Sequence, residues 1–382
     1  MSSNNESHSA FAASFGAKPS LSLARAINVA TETLRNMPTI ELLITQLQCD
    51  SSEARVDAMR RLNIVADAIG TEAILKHLLP FLASNIAMDE EEEDEILLTL
   101  ADQLGQFVPR LIPGYRALPI LPILERLAAV EETVVRDKAV ESIQKIIPML
   151  LHPTAGVRPG SKEEKLSLEG ILEAAAAAPA LLLAMAKRLS GADWFTAKVS
   201  AAGILPVVYE FYNHPRIANA KGGANSTEMN SPEEAKRELR LLYKELSEDD
   251  TPMVKRSAAR NLGKLVESVA NLNGSGTTSS SASAAMKTII IKDMLPIFQN
   301  LANDEQDSVR LLAVVVADSV GRAHHLDAQI NADLVWPVVR DGCGDVSWYV
   351  FCHFVFPNSV IAFVYEIALF FLSENVKHYK GE

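Results

Sequence analysis

The chain has 382 residues and a formal net charge of −12, so it is too long for one ordinary core and repels a nucleic-acid backbone on average. Hydrophobic residues make up 48% of it and aromatic residues only 6%, which is typical of packed helices and unfavourable for a β-sandwich. The composition therefore predicts an all-α protein whose partners are other proteins and not nucleic acids.

Residues 1–38 are the first predicted segment, and their low complexity predicts an extension that is largely disordered. No basic start is followed by a long apolar run, which argues against a secretory signal. The three cysteines, Cys49, Cys343 and Cys352, form neither a CxxC pair nor a disulfide framework. We therefore expect a reducing compartment, with the cytoplasm as the first choice and the nucleus as the second.

Residues 39–348 repeat one phrase, in which an acidic or small polar opening precedes a basic residue by five or six positions and alanines follow at helical spacing. An upstream phrase places a proline inside an amphipathic pattern, at Pro80, Pro122, Pro296 and Pro337. Each unit is therefore predicted to be a first helix bent at its proline, a short turn and a second helix. The first phrase reads DSSEARVDAMRRLN, EETVVRDKAVESI, DWFTAKVSAAGIL, DDTPMVKRSAARNL and DEQDSVRLLAVVVA.

The repeating unit is roughly 40 residues long, which is the range of HEAT-type helical repeats. Because one hairpin cannot bury its own apolar face, the pattern predicts a curved α-solenoid of about seven stacked repeats. Insertions rich in glycine, serine, asparagine and proline, at residues 152–165, 213–232 and 271–285, are predicted to be flexible loops between repeats. Residues 349–382 form an aromatic-rich tail, interpreted as a divergent end of the array, with a membrane anchor as the alternative.

The turn inside each repeat carries the candidate protein-binding residues. Acidic residues there can cap the second helix, bind a partner, or do both. The aromatic pair Trp194 and Phe195 has no capping role, and tryptophan is enriched in interface hot spots, although the pair could instead tuck against the neighbouring repeat. The candidates are Glu131, Glu132, Asp193, Trp194, Phe195, Asp250, Thr251 and Met253.

A basic residue recurs at one position of the second helix, and it recurs with the period of the repeat. Contacts to a partner rarely follow such a period, so we predict a ladder of internal charge pairs formed by Arg55, Arg136, Lys198, Lys255 and Arg310. The acidic run at residues 89–95 is interpreted as a solvated loop, with a docking patch as the alternative. No HExxH or phosphate-loop motif occurs, so we predict no enzyme, no cofactor and no metal site.

Five strings carry a resemblance to a known family. VEETVVRDKAVESI, GADWFTAKVSAAG, DDTPMVKRSAARNLGKL, LANDEQDSVRLLAV and EDEILLTLADQLGQFVP resemble the scaffold (A) subunits of protein phosphatase 2A, and the resemblance covers residues 39–348. It implies an all-helical HEAT horseshoe whose intra-repeat turns form a ridge for partners. In that family the N-terminal repeats receive an interchangeable regulatory (B-type) subunit, whereas the C-terminal repeats receive the catalytic subunit.

The chain resembles the N-terminal half of these scaffolds, and the match fades after residue 348. We therefore expect a non-catalytic scaffold that binds regulatory subunits through its turns and ends before the platform for the catalytic subunit. Recruitment of the catalytic subunit would then require that the missing repeats be dispensable. The alternative function is a free-standing HEAT-repeat adaptor with a membrane-associated tail.

Overall fold

The computed structural model describes residues 39–86, 93–152, 162–218, 231–271, 280–321, 333, 335–342, 345 and 347. Within these ranges the chain is helical and contains no strand, as the composition predicts. The helices in chain order are α1 Thr39–Leu47, α2 Ser52–Arg60, α3 Leu62–Ile69, α4 Thr71–Ala73, α5 Leu79–Asn85, α6 Asp94–Arg110, α7 Leu121–Leu127, α8 Thr133–Met149, α9 Lys162–Ser190, α10 Phe195–Asn213, α11 Pro215–Ala218, α12 Pro232–Ser247, α13 Pro252–Val269, α14 Ser280–Ile289, α15 Leu295–Ala302, α16 Asp307–Val315, α17 Ala317–Gly321 and α18 Trp336–Gly342.

In the described part of the chain these helices form six hairpins and the first helix of a seventh, α18. The second helices of hairpins 2 to 6, which are α6, α8, α10, α13 and α16, each pack against the next in one layer. The first helices form the other layer, with α7, α9, α12 and α15 in hairpins 3 to 6. One continuous cluster of buried apolar side chains runs from Leu43 to Val339. This arrangement is the predicted α-solenoid, in which stacking neighbours buries what one hairpin exposes.

Polar side chains join the second helices of neighbouring hairpins. Ser142 Oγ donates to the Ala101 carbonyl at 2.8 Å, which links α8 to α6. Gln144 Nε2 donates to the Gly203 carbonyl at 2.7 Å and links α8 to α10. Gly105 lies against Ser142, and a Cβ atom at Gly105 would stand 2.9 Å from the Ser142 Cβ. The glycine therefore lets α6 and α8 approach closely enough for the bond between them.

The first helices are interrupted at the prolines, as predicted. Pro80 and Pro296 are each the second residue of a helix, α5 and α15, and each follows a π-helical turn, Ile74–Leu78 and Ile290–Met294. Pro122 follows a 3₁₀ turn, Leu118–Ile120, and another such turn, Gly114–Arg116, lies just upstream. Because proline has no N–H to donate, the backbone changes its hydrogen-bond period at these points.

The ranges predicted for the loops, residues 152–165, 213–232 and 271–285, include residues that are helical in the structure. Helix α9 begins at Lys162, α11 covers Pro215–Ala218 and α14 begins at Ser280. Ile217 is buried, so α11 is packed against the array. The sequence SSASAAMK begins α14, and its alanines favour a helix there. The centres of these loops lie outside the described residues, as do residues 1–38, Trp348, the tail at 349–382 and residues 89–92 of the acidic run.

Within α9, residues Glu164–Ser190 are long and apolar enough to span a membrane by length and composition alone. In the structure this helix is the first helix of hairpin 4, and it packs against α10 and α12. Its place in the array accounts for the apolar side chains that it buries, because a helix in a solenoid packs on its own hairpin and on the next one. Leu166, Leu168 and Leu172 near the start of the helix are exposed.

Candidate protein-binding ridge

The turns between the two helices of successive hairpins adjoin one another and form a ridge, defined here by residues 128–132, 191–194, 248–251 and 303–306. Thr196 Oγ1 donates to the Ala129 carbonyl at 2.9 Å, which joins the second helix of hairpin 4 to the turn of hairpin 3. Lys198 Nζ reaches Asp249 Oδ2 at 2.8 Å, which joins hairpin 4 to the turn of hairpin 5. These contacts hold neighbouring turns in a fixed register.

The predicted ladder of charge pairs is present along this ridge. After the Lys198–Asp249 pair, Lys255 contacts Asp304 at 2.7 Å, and Arg310 contacts Asp345 through two nitrogens at 2.7 and 2.9 Å. In each pair the cation lies on a second helix and the carboxylate lies in the next turn. Arg55 likewise contacts Glu93 at 3.2 Å. The recurrence with the period therefore reflects contacts between repeats, as expected.

Arg136 departs from the ladder. It is 4% exposed, and it donates to the Val130 and Glu131 carbonyls and to Thr133 Oγ1 of its own hairpin. Arg310 donates in the same way to two carbonyls of its own turn and still pairs with the next turn, so these bonds do not exclude a charge pair. Within the described residues, Arg136 lacks an ion-pair partner because the next turn has Ala192 where later turns have Asp249 and Asp304. The prediction of a charge pair for this residue is wrong.

The acidic residues before the second helices act differently from the predicted caps. Asp249 Oδ1 accepts a hydrogen bond from the Thr251 N–H at 2.8 Å, and Asp304 Oδ1 accepts one from the Gln306 N–H at 2.9 Å. Thr251 and Gln306 are themselves the N-cap residues of α13 and α16. Each aspartate thus fixes the residue that begins the helix instead of capping the helix itself. Glu132, the N-cap of α8, makes no side-chain cap hydrogen bond.

The ladder shifts the pKa values of its carboxyls. Burial disfavours the charged form of Asp249, but the hydrogen bonds from Lys198 and from the Thr251 N–H outweigh it, and the pKa lies below its usual range. The hydrogen bond from Arg310 lowers the pKa of Asp345 against an opposing contribution from burial. These carboxylates are therefore charged structural groups at neutral pH.

A second column of acids faces solvent. The residues five positions before the recurrent basic residue are all exposed, and none makes an ion pair within the described part of the chain: Asp50, Glu131, Asp193, Asp250 and Glu305. Asp250 and Glu305 directly follow the ladder acids Asp249 and Asp304 in sequence, yet they form no ion pair between repeats in the described part of the chain. This column leaves negative charge available along the ridge.

Apolar side chains accompany the exposed acids. Trp194, the N-cap of α10, is 58% exposed, and its ring centroid lies 5.8 Å from that of the half-buried Phe195. Met253 on the first turn of α13 is 44% exposed. The sequence interpretation missed Val134, which is 52% exposed on the first turn of α8. Val134 lies two residues before Arg136, and Met253 lies two residues before Lys255. Aligning the repeats on their basic residues would therefore have placed Val134 at the same position as the candidate Met253.

The candidate residues therefore fall on three consecutive turns of the ridge. Six of them are exposed or lie at the first turn of a second helix, and Thr251 and Glu132 are half-buried N-cap residues. Among the described residues, no three histidine, cysteine or carboxylate side chains are placed to hold a metal ion. The surface offers an apolar stripe beside negative charge, which suits contact with another protein.

Comparison with known proteins identifies relatives of this array. The chain is 33% identical over 309 residues to the PP2A regulatory A subunit of Schizosaccharomyces pombe, which is 81% of this chain and 42% of that protein. It is 35% identical over 300 residues to a probable PP2A regulatory subunit of Caenorhabditis elegans, covering 78% of this chain and 40% of that protein. The chain is a homologue of these regulatory A subunits. It spans about two fifths of the length of these two relatives and about three tenths of some others that it matches.

Other comparisons add less. No protein-family profile matches the chain. An engineered protein of known structure aligns with 74% of the chain at 16% identity and a TM-score of 0.35, and a designed armadillo repeat protein in complex with a (KR)4 peptide aligns with 73% at 14% identity and a TM-score of 0.34. The curated relatives are named as regulatory subunits, and they give no support to a membrane adaptor.

Proposed function

We propose that this protein is a non-catalytic scaffold of a PP2A-type phosphatase complex and that its ridge binds a phosphatase regulatory (B-type) subunit. The observation that carries the proposal is the exposed stripe of Val134, Trp194 and Met253 beside the acidic column of a PP2A A-subunit homologue. The proposed compartment is the cytoplasm.

The ridge defines the chemistry of the partner surface. A largely exposed indole buries substantial apolar area when it enters a pocket, and tryptophan is the residue most typical of interface hot spots. Glu131, Asp193 and Asp250 line the same turns, so the matching surface carries lysine or arginine around an apolar pocket. The ladder acids Asp249 and Asp304 are engaged between repeats and contribute rigidity instead of contacts.

Co-purification of the full chain with a regulatory subunit tests the proposal. We expect the chain to bind it directly, and the double variant Glu131→Lys with Asp193→Lys to bind at least about tenfold more weakly, because like charges then face each other. A matched control, Asp67→Lys with Glu169→Lys, changes the charge equally at exposed positions away from the ridge. Equal weakening by both pairs, or no binding by the unaltered chain, would contradict the assignment to the ridge. The same experiment with the isolated catalytic subunit tests whether this array also binds that protein.

A further inference from the structure

A groove on the layer of first helices carries the opposite charge to the ridge. It has a volume of about 290 Å³ and lies between α12 of hairpin 5 and the π-helical turn and α15 of hairpin 6. Its lining contains four cationic side chains and one carboxylate, in a chain whose net charge is −12. The cations are Arg237, Arg240, Lys244 and Lys292, and the carboxylate is Asp293.

One of these cations holds the groove together. Arg240 is 9% exposed, and its Nε donates to Asp293 Oδ2 at 2.7 Å, which joins hairpins 5 and 6. Its Nη1 also donates to the Tyr209 hydroxyl at 3.1 Å. Arg240 and Asp293 therefore neutralise each other, so the free charge of the groove comes from the remaining three cations.

Those three cations are available to a ligand. Among the described residues, Arg237 and Lys292 have no ion-pair partner, and both are exposed. Lys244 contacts Glu248 at 3.8 Å, and both side chains are about half exposed, so this pair is weak. Leu241 stands between Arg237 and Lys244 on α12 and is 50% exposed, and Pro296 faces it across the groove. The groove thus offers positive charge at its ends and an apolar contact between them.

We propose that this groove binds a short, extended, acidic segment of a partner protein, with an apolar residue between its carboxylates. Arg237 and Lys244 are seven residues apart on one helix, which is roughly 10 Å, or about three residues of extended chain. A single phosphate cannot span that distance, whereas two carboxylates on an extended peptide can. The proposal is independent of the ridge, since the groove lies on the other layer of helices.

A labelled peptide tests the groove directly. The probe is a fluorescein-labelled hexapeptide, Glu-Glu-Leu-Glu-Glu-Gly, titrated with the full chain by fluorescence anisotropy. We expect binding that the double variant Arg237→Gln with Lys292→Gln weakens about tenfold, or about 1.4 kcal/mol. Leu241→Ser is expected to weaken it as well, and replacing the four glutamates of the peptide by glutamine is expected to abolish it.

The control pair is Arg260→Gln with Lys264→Gln, which removes two exposed cations from α13 of the same hairpin, on the other layer. This pair is expected to leave the affinity unchanged. Equal weakening by both pairs would overturn the proposal in favour of non-specific attraction. Displacement of the peptide by inorganic phosphate at equal concentration would assign the groove to an ion. Loss of self-association in the Arg237→Gln and Lys292→Gln variant would assign it to a second copy of the chain. Absence of binding by the unaltered chain would also overturn it.

Discussion

Trp194 is the residue at which surface exposure and the proposed interface can be separated most clearly. Its side chain is 58% exposed, so little core packing is lost when it is truncated. We expect Trp194→Ala to weaken binding of a regulatory subunit by about 1–3 kcal/mol while the melting temperature stays nearly unchanged. Calorimetric titration and thermal unfolding of the same sample measure both. The control is Ile64→Ala, which removes a side chain 70% exposed on α3 and should change neither. A lower melting temperature with unaltered affinity would assign Trp194 to packing.

Asp249 pairs with Lys198 and also accepts a hydrogen bond from the Thr251 N–H, and two substitutions can separate these roles. Asparagine keeps the oxygen that accepts the Thr251 N–H but loses the charge that attracts Lys198, whereas alanine loses both. We therefore expect Asp249→Asn to lower the free energy of unfolding by about 1 kcal/mol and Asp249→Ala to lower it by more, roughly 2 kcal/mol. Urea unfolding of the variants measures this order. Equal losses would mean that the turn hydrogen bond contributes nothing.

Sequence reasoning identified the basic column because it recurs with the period of the repeat. It identified Trp194 because an aromatic residue stands out in an otherwise polar turn. It could not separate Asp249 from Asp250, since the two are adjacent and identical in chemistry, and only the geometry of the turn sends one towards Lys198 and the other into solvent. Arg136 was assigned to the ladder from the period of the basic residues alone. The next turn has Ala192 where later turns have Asp249 and Asp304, so aligning the acidic positions as well would have shown that Arg136 lacks an acidic partner in that turn.

The elements α6 and α8 approach each other at Gly105, where two opposing effects can be compared. Alanine gains up to about 1 kcal/mol over glycine inside a helix, but overpacking costs about 1–3 kcal/mol. A Cβ atom at Gly105 would meet the Ser142 Cβ, which cannot move without its backbone. We expect overpacking to dominate, so that Gly105→Ala lowers the free energy of unfolding in urea. Gly203→Ala is the control, because the nearest atom to a Cβ there is the Val140 Cγ1 at 3.2 Å, and it should be neutral or stabilising.

At the scale of elements, the hairpins and the proline interruptions follow from the sequence because apolar spacing and the missing N–H are local properties. The π-helical turns before Pro80 and Pro296 could not be predicted from the sequence. The backbone could also have changed its hydrogen-bond period through a 3₁₀ turn, as it does before Pro122. The ends of the insertions were misplaced because polar composition alone does not exclude a helix. Packing of Ile217 in α11 and the alanines of α14 extend the helical array into those segments.

At the scale of the whole molecule, the two proposed binding surfaces carry opposite charge and lie on different layers of helices. The ridge presents the acidic column, while the groove between α12 and α15 presents unpaired cations. The two proposed surfaces are formed by different helices, so a partner bound at one of them would leave the other exposed. Net charge alone, at −12, predicts only the acidic surface, since a local excess of cations is hidden in the sum.

Acid unfolding is a property of the whole array, because carboxyls with lowered pKa values occur in several hairpins. Lys138 and Lys145 lower the pKa of Glu141 to about 2, and the pKa values of Asp249 and Asp345 are also lowered. A group whose pKa is lower in the folded state stabilises it above the unfolded pKa, and that contribution is lost as pH falls through the folded pKa. We therefore expect these groups to contribute their full stabilisation at pH 7, where the free energy of unfolding does not change with their titration, and to lose it between about pH 4.5 and pH 2.

The double variant Glu141→Gln with Asp249→Asn tests this expectation. It should be less stable than the unaltered chain at pH 7, and the two should converge as the pH approaches 2, because the protonated carboxyls of the unaltered chain then make the same weak contacts as the amides. Urea unfolding at a series of pH values gives both curves. A matched control is Glu267→Gln with Asp67→Asn, for which the curve should run parallel to that of the unaltered chain. A constant difference between the double variant and the unaltered chain across this range would show that the charges of Glu141 and Asp249 do not stabilise the array.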